Sequence, residues 1–543
     1  MKLRIPDQIT VYAEPIAEAA AEGAVKLQKH ALIGGAYGFD DVQVSFAETS
    51  RGLRVTLAAD QTPVSWLRLR FSFEAGEKRT GVRILGDDFE RAYGSLAWRG
   101  IEPRRIMPWY ILVSDGSDSD PDATGRLTEC FGVTVRPGAF VTWQYDTSGV
   151  TLWADVRNGG RGVLLGGRTL DVCEILFAEY RDTTAFAAGQ SFCRLMCPDP
   201  LLPDHRVYGS NNWYYAYGNS SHAEIAADTA IVADQCRGLP NRPYMVIDDG
   251  WQINSTNAPW LPNAKFPDMA ALADEISAQD VRPGIWVRYL GDERQALDCP
   301  ADWRLSRDQR YLDPSNPAVL DYVRDVTKRL RGWGYELIKH DYSTFDIFGQ
   351  WGAQMNGSVT ANGWHFFDRT RTSAEIVVDL YRTILDAAGD GCVIIGCNTV
   401  SHLCAGLCQL NRTGDDTSGF SFEKTRHMGV NTLAFRMIQN GAFYMADADC
   451  VGITGAISWK QNRQWLKALA WSGSPLFVSC KPGVLNEAEL AELRTAWAVN
   501  SVQDNVVRPL DWMEHQCPER WLVDGETVTF DWYGDTGAEN FEP

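Results

Sequence analysis

Tyr335-Glu336-Leu337-Ile338-Lys339-His340-Asp341 is the stretch from which the rest of the chain can be read. Its apolar middle predicts a short buried strand, and that strand ends in Lys-x-Asp. Side chains of a strand alternate between faces, so Lys339 and Asp341 fall on one side and His340 on the other. An ammonium beside a carboxylate favours the ionised acid, which a nucleophilic Asp requires. The same pair also serves as a plain ion pair at a strand end. The stretch alone leaves both uses open.

Working outward, the rhythm of short apolar strand and amphipathic helix repeats in both directions. Upstream, strands are expected at 207–213, 244–248 and 284–288. A helix opens at Ser221 with Glu224 three residues on, and another starts near Pro317 with Val319, Leu320, Val323 and Val326. Downstream, a helix through Ile376, Leu380 and Ile384 precedes strands at 392–397, 407–412, 442–446 and 476–480. Helices at 423–440, 459–471 and 487–498 complete the series. Eight β/α units over about 290 residues predict an α/β fold, a (β/α)8 TIM barrel spanning 205–500. An open doubly wound sheet can be drawn from the same repeats, but no GxGxxG follows any strand.

Residues 1–204 read differently. Leu67, Leu69, Phe71 and Phe73 alternate with polar residues; Val133 and Val135 continue the pattern; Pro137-Gly138 turns the chain; and Val150, Leu152, Ala154 and Val156 alternate again. An N-terminal β-sandwich is the simplest architecture, with helices possible at 14–24 and 183–196. The Pro-rich run from Cys197 to Pro203 is expected to link it to the barrel. Residues 501–543 form a short C-terminal β element of one or two strands, where Val528, Phe530 and Trp532 alternate with Thr527, Thr529 and Asp531.

Composition narrows the partners. A net charge of −19 disfavours nucleic acid and anionic membranes, because both would repel the chain. No apolar run reaches the roughly 18 residues of a membrane span, and MKLRIPDQITVYAEP lacks the apolar core of a signal peptide. A soluble, cytoplasmic protein is expected. Twenty Trp, nineteen Tyr and twenty-two Phe suit the C–H faces of sugar rings, and equally the cores of large β domains. Thirteen cysteines include no CxxC. Cys193/Cys197 and Cys404/Cys408 have CxxxC spacing but no His placed to complete a zinc site, so buried free thiols are expected, with no metal.

In a barrel, chemistry gathers where strands end and βα loops begin. Those positions hold Trp213, Asp248, Asp249, Trp251, Trp286, Arg288, Lys339, Asp341, Cys397, Arg412, Asp416, Asp447 and Asp449. Several carboxylates among Trp walls, with few His, fit glycosidic bond cleavage, in which one acid attacks or stabilises C1 and another protonates the departing oxygen. Asp248-Asp249-Gly250-Trp251 offers two acceptors for hydroxyls and an indole to close over a ring, although DDG is also ordinary turn chemistry. If Asp415 and Asp416 converge in a cleft, one keeps its proton, as a general acid must; otherwise they are a solvated turn. Asp447-Ala448-Asp449 lacks the spacing of a Ca²⁺ loop. A phosphate site at Gly452 and Gly455 is opposed by the flanking acids.

With these motifs in order, residues 207–480 resemble the clan D α-galactosidases, and glycoside hydrolase family 36 most closely. Asp248-Asp249-Gly250-Trp251 is similar to the family's DDGW, Lys339-His340-Asp341 to its KxD, and Arg412 to Asp416 to its RxxxD. Cys397, fifteen residues before Arg412, is similar to a pocket cysteine, and Trp213 and Trp286 to wall tryptophans.

The resemblance implies a retaining exo-α-glycosidase, foremost an α-galactosidase acting on an oligosaccharide or glycoside. In it Asp341 is the nucleophile and Asp416 the acid/base, with carboxyls about 5–6 Å apart. It further implies that Asp248, Asp249 and Lys339 bind glycon hydroxyls, that Arg412 lies on the O2 side, that no cofactor is needed, and that a homo-oligomer is possible. α-N-Acetylgalactosaminidase, an α-galactosyl transferase of the raffinose-synthase type and a non-catalytic carbohydrate-binding pseudo-enzyme are the alternatives. Departures are the long loop carrying Trp351 and Trp364, the short C-terminal β element, and Arg288. That arginine is expected to be an ion pair with a nearby Asp rather than a receptor for an anionic sugar.

Overall fold

The computed structural model describes residues 4–18, 25–32, 37–74, 79–115, 126–502 and 507–533. The alternation read around Leu67 builds the strand Val64–Ser72, whose Leu67, Leu69 and Phe71 are buried. It pairs antiparallel with Gln8–Ala13 on one side and Gly149–Asp155 on the other, within a six-stranded sheet. A second, seven-stranded antiparallel sheet is centred on the long strand Thr169–Arg181. Phe131 of one sheet and Trp143 of the other meet with ring centroids 6.1 Å apart, so the inner faces share one core. The helix expected at 183–196 forms as Ala185–Met196, with the Thr184 hydroxyl accepting from the Ala187 N–H. Where a helix was expected at 14–24, the chain makes only a 3-10 turn, Ile16–Glu18, and residues 19–24 lie outside the described residues.

A nine-stranded sheet follows, and every neighbouring pair in it is parallel. Its order is Met445–Asp447, Leu410–Arg412, Val393–Gly396, Leu337–His340, Arg282–Val287, Tyr244–Ile247, Tyr208–Asn211, Leu476–Cys480 and Cys450–Ile453. The two end strands are consecutive in the chain. Only Ala448 and Asp449 separate them, and Asp449 is left-handed at φ 71°. The single strand expected at 442–446 is therefore two segments, and nine strands stand where eight were expected. The left-handed turn breaks the strand, so its first part pairs with Leu410–Arg412 and its second with Leu476–Cys480.

The sheet curls around its own core. Tyr244, Val246, Leu337, Val393, Ile395 and Leu410 pack together with Phe477 in a cluster separate from the main core. Their sequence neighbours Met245, Ile247, Ile338 and Ile394 face outward into the main core against the helices. This two-residue period, buried on both faces, is why these strands read as continuous apolar runs. Helices cover the outside. Pro317–Gly332, for instance, opens on an Asn316 cap and buries Val319, Val323, Val326 and Leu330 along one face.

Two smaller expectations are corrected. Among the described residues the C-terminal element has three strands, Val507–Pro509, Arg520–Val523 and Glu526–Thr529, rather than one or two. Cys404 and Cys408 are joined in a disulfide rather than free; their CxxxC spacing ends a short helix on a turn that brings the two thiols together. The other eleven cysteines, Cys193 and Cys197 among them, are free. Among the described residues no helix is long and apolar enough to cross a membrane.

Leu337 is fully buried in the inner cluster. Leu337→Ala is expected to cost about 2–5 kcal/mol of unfolding free energy in urea, as for other buried leucines. A loss below about 1 kcal/mol would contradict a packed sheet interior.

Candidate active site

Each inner row of the sheet runs on, two residues at a time, into a polar side chain. Val246 leads to Asp248, Leu337 to Lys339 and then Asp341, Ile395 to Cys397, and Leu410 to Arg412. Register places Trp286 beside Lys339, Lys339 beside Ile395, and Arg412 beside Asp447. His340, of opposite parity, points away and packs against the rings of Tyr289 and Tyr381. Burial pushes its pKa down to about 4, so it is neutral there.

Lys339 Nζ donates to Asp248 Oδ2 at 2.7 Å, and Asn211 Nδ2 donates to the same oxygen at 2.8 Å. Burial works against the ammonium, but Asp248 outweighs it and holds the Lys339 pKa well above the usual value. Asp341 is fixed by two donors: Trp286 Nε1 to Oδ2 at 3.1 Å and the Tyr342 N–H to Oδ1 at 2.7 Å. Tyr342 sits at φ 64°, a left-handed turn that aims this N–H back at the carboxylate.

Arg412 organises the opposite side. Nη1 approaches Cys397 Sγ at 3.5 Å. Nη2 contacts Asp449 Oδ2 at 2.9 Å, the Asp415 carbonyl at 3.0 Å and Asp416 Oδ1 at 3.3 Å. The same Asp449 oxygen accepts from the Tyr214 hydroxyl and from the N–H and hydroxyl of Thr417, at 2.9 and 3.0 Å. Asp449 thus pins the loop that carries Asp416, and the Asp449 N–H in turn donates to Asp447 Oδ1 at 2.9 Å. The Asp416 side chain is 47% exposed, open to whatever enters.

Asp415 and Asp416 do not converge. Asp415 turns to Arg91 Nη2 at 2.8 Å while Asp416 faces Arg412, so the two carboxylates do not share one space. Desolvation by the protein around it would raise the Asp416 pKa, but Arg412, Arg91 and Lys339 together outweigh it and hold the carboxyl below its usual value. The condition under which one of the two acids would keep its proton, convergence in a single cleft, is therefore not met.

Not every candidate joins this cluster of contacts. Trp251 is wholly buried, donates Nε1 to the Trp286 carbonyl at 3.0 Å, and packs against Trp260 and Trp333; it supports Trp286 and has no free face for a sugar. Asp249 turns into its own loop, accepting from Gln252 Nε2 and from the Thr256 N–H at 3.0 Å. Arg288 makes a two-oxygen contact with the buried Asp346 at 3.0 and 2.7 Å, reaches Glu293 at 2.9 Å, and lies 4.3 Å over the Tyr342 ring. It is the ion pair expected. Trp213 is partly buried at the end of the first strand. Among the described residues no cluster of His, Cys, Asp or Glu could hold a metal ion.

Arg91 and Glu90 were missed. They lie in the irregular segment that follows strand Arg83–Gly86 of the seven-stranded sheet, and the only hint is the charged run Asp87-Asp88-Phe89-Glu90-Arg91 interrupting an alternating region. Their segment joins the loop after strand Leu410–Arg412 as a short parallel bridge, Ala92 N–H to the Thr413 carbonyl at 2.9 Å and Asp415 N–H to the Ala92 carbonyl at 3.0 Å. Arg91 then reaches Asp415, Asp416 (3.9 Å) and Cys397 (3.8 Å). Glu90, fully buried, accepts from Asn398 Nδ2 and the Gly352 N–H and lies 3.1 Å from Arg91 Nε.

Burial pushes Glu90 up to about 7 from 4.5, against the opposing pull of Arg91, Gly352 and Asn398. A carboxyl with a raised folded pKa binds a proton on folding between those values, so its contribution is present at low pH and lost as pH rises through 7. Glu90→Gln is expected to reduce the stability lost between pH 5 and pH 8 by something on the order of 3 kcal/mol. Urea unfolding at the two pH values checks it; an identical pH slope in the variant would contradict a buried, proton-binding Glu90.

No family model matches the chain, and no curated protein sequence does. Among solved structures it is similar to an α-galactosidase from Thermus thermophilus in complex with p-nitrophenyl α-D-galactopyranoside, at 16% identity and TM-score 0.58, covering 92% of this chain and 98% of that one. The same enzyme in complex with stachyose is similar at TM-score 0.56, with 16% identity over 84% and 96%. The GH36 α-galactosidase AgaA from Geobacillus stearothermophilus is similar at 14% identity and TM-score 0.58, over 93% and 75%. At these identities the shared property is the fold: a curled parallel sheet with antiparallel sheets beside it.

Proposed function

We propose that this chain is a retaining exo-α-glycosidase that removes terminal α-galactosyl groups, on a (β/α)8 barrel (205–500) flanked by an amino-terminal β-sandwich (1–204) and a short β element (501–543). The observation that carries the reading is the pair of differently held carboxylates at two strand ends. Asp341 is gripped by two N–H donors, whereas Asp416 is half-exposed beside Arg412. The charge of Lys339 bears on both.

In the proposed reaction Asp341 attacks the anomeric carbon, and the C1–O bond to the leaving group breaks as Asp416 protonates the departing oxygen. Water, deprotonated by Asp416, then cleaves the glycosyl–Asp341 ester with net retention, for which a carboxyl separation of about 5–5.5 Å is suited. A bound sugar displaces water from Asp416 and raises its pKa from the low resting value toward that of an acid. Lys339 and Asp248, already paired, present an ammonium and a carboxylate to the glycon hydroxyls. Because Arg288 is consumed by Asp346 and Glu293, no free cation at that strand end calls for an anionic sugar. The fold neighbours' ligands, p-nitrophenyl α-D-galactopyranoside and stachyose, fit the same neutral substrate class.

A panel of p-nitrophenyl α- and β-glycosides, including uronic and N-acetylated sugars, tests the reading: release from the α-galactoside is expected to dominate. Preference for the N-acetylated α-galactoside would move the reading to α-N-acetylgalactosaminidase, and turnover of none would leave a binding protein. Asp341→Ala is expected to lower kcat on the α-galactoside by at least about a thousandfold, in the range seen when a nucleophile is removed. Asp416→Ala is expected to harm raffinose more than the nitrophenyl substrate, whose leaving group needs little protonation. Wild-type turnover by Asp341→Ala would refute the nucleophile assignment.

A further inference from the structure

The two faces of the six-stranded sheet carry different chemistry. Leu67 and Leu69 of Val64–Ser72 face the sandwich core, so Trp66 and Arg68 of the same strand stand on the opposite face. Register extends that outer face sideways. Tyr12 lies opposite Trp66, Trp153 opposite Arg68, and Thr142 opposite Trp153. Tyr12, Trp66 and Trp153 therefore share one surface turned away from the core, with the Tyr12 and Trp153 ring centroids 5.7 Å apart. A guanidinium braces each indole: Arg157 lies 4.9 Å from the Trp66 ring centroid and Arg68 5.7 Å from that of Trp153.

Phe89, and the run from Met355 to Val359 at the end of helix Gly352–Met355, meet this surface and leave a cavity of about 390 Å³ beside the three rings. That volume lies in the range of small-molecule sites. Among the described residues that line it, none is Asp, Glu, Lys, Arg or His, and none belongs to the cluster around Asp341 and Asp416. The polar groups in its wall are few and oriented. Trp153 Nε1 donates to Gln144 Oε1 at 2.8 Å. An indole N–H only donates, so this contact fixes which way the amide points. Gln144 Nε2 is left without an acceptor among the described residues. Asn356 gives Nδ2 to Asp88 Oδ1 at 2.7 Å, and its own Oδ1 is buried with no donor. A buried carbonyl oxygen left unpaired is costly, and a ligand hydroxyl would relieve it.

These groups select a ligand class. An ion would leave water for a wall with no countercharge. A free sugar carries a hydroxyl on nearly every ring carbon, more than two amides can satisfy. A flat, neutral aromatic molecule matches better: its ring packs on the indoles, and a hydroxyl at its edge meets the amides.

We propose that this cavity is a binding site for a neutral, planar aromatic ligand that carries a hydroxyl, a site separate from the strand ends and independent of the galactosidase reading. Calorimetry of the full chain with 2-naphthol, 2-naphthoate and raffinose tests it. One 2-naphthol per chain is expected, and 2-naphthoate, with the same rings and a charge, is expected to bind far more weakly. Trp153→Ala and Gln144→Leu are each expected to weaken 2-naphthol by at least about fivefold, the worth of one ring contact or one hydrogen bond. Gln144→Leu removes the donor at nearly constant size, so the test does not hang on the folding of Trp153→Ala. Failure to bind 2-naphthol, or binding unchanged in either variant, overturns the site. Equal affinity for 2-naphthoate overturns its neutral character. Raffinose binding that Gln144→Leu weakens, without any for 2-naphthol, overturns the aromatic class in favour of a sugar.

Discussion

A lysine ammonium buried inside a sheet must have a carboxylate beside it, and the Lys339–Asp248 contact at 2.7 Å meets that need. Removing either partner of such a pair leaves a buried charge, a penalty of about 3–5 kcal/mol. The pair therefore ties strand Leu337–His340 to strand Tyr244–Ile247 across the intervening Arg282–Val287. It also fixes parity: with Lys339 inward, Asp341 must be inward too, and His340 must lie among the outer rings. The nucleophile candidate is positioned by the same alternation that packs Leu337 into the inner cluster.

Around that pair the site is divided by charge. On one side Asp341 is held by neutral donors, an indole N–H and a backbone N–H. On the other, Asp416 sits among two guanidiniums, one from its own strand end and one carried in by the amino-terminal sheets. Arg91 makes the amino-terminal part a component of the site rather than an appendage. Its segment joins the loop at Thr413 and Asp415 by backbone hydrogen bonds, and it meets Asp415, Asp416 and Cys397 at once. The Asn398 side chain donates to the carboxylate of the neighbouring Glu90 and ties this segment to the loop after strand Val393–Gly396, so the position of the acid candidate depends on how the two parts of the chain pack.

Much of this was legible in the residues. Short apolar runs ending in Asp or Arg located the strands to within a few positions, because strands buried on both faces leave no polar residue until they emerge. Arg288 was read as an ion pair, and Asp346 is its partner. What escaped has physical reasons. Asp449 breaks the seventh strand through one left-handed residue, which apolar patterning does not register. Trp251 follows a DDG that looks like a mouth motif, yet its indole is pulled under Trp286 by one hydrogen bond. Whether Asp415 and Asp416 converge stayed open in the sequence because the arginine that draws Asp415 aside, Arg91, is distant along the chain. Cys404 and Cys408 carry no sequence mark that distinguishes a bonded pair from two buried thiols.

The central claim is that Asp341 becomes covalently attached to the glycon. The direct measurement is mass spectrometry of the intact chain and its peptides after incubation with 5-fluoro-α-galactosyl fluoride, which forms the ester readily and releases it slowly. The account predicts one fluorohexosyl group per chain, on the peptide that contains Asp341. A label on Asp416 or on any other carboxylate, or full turnover of the reagent by the Asp341→Ala chain, would contradict it.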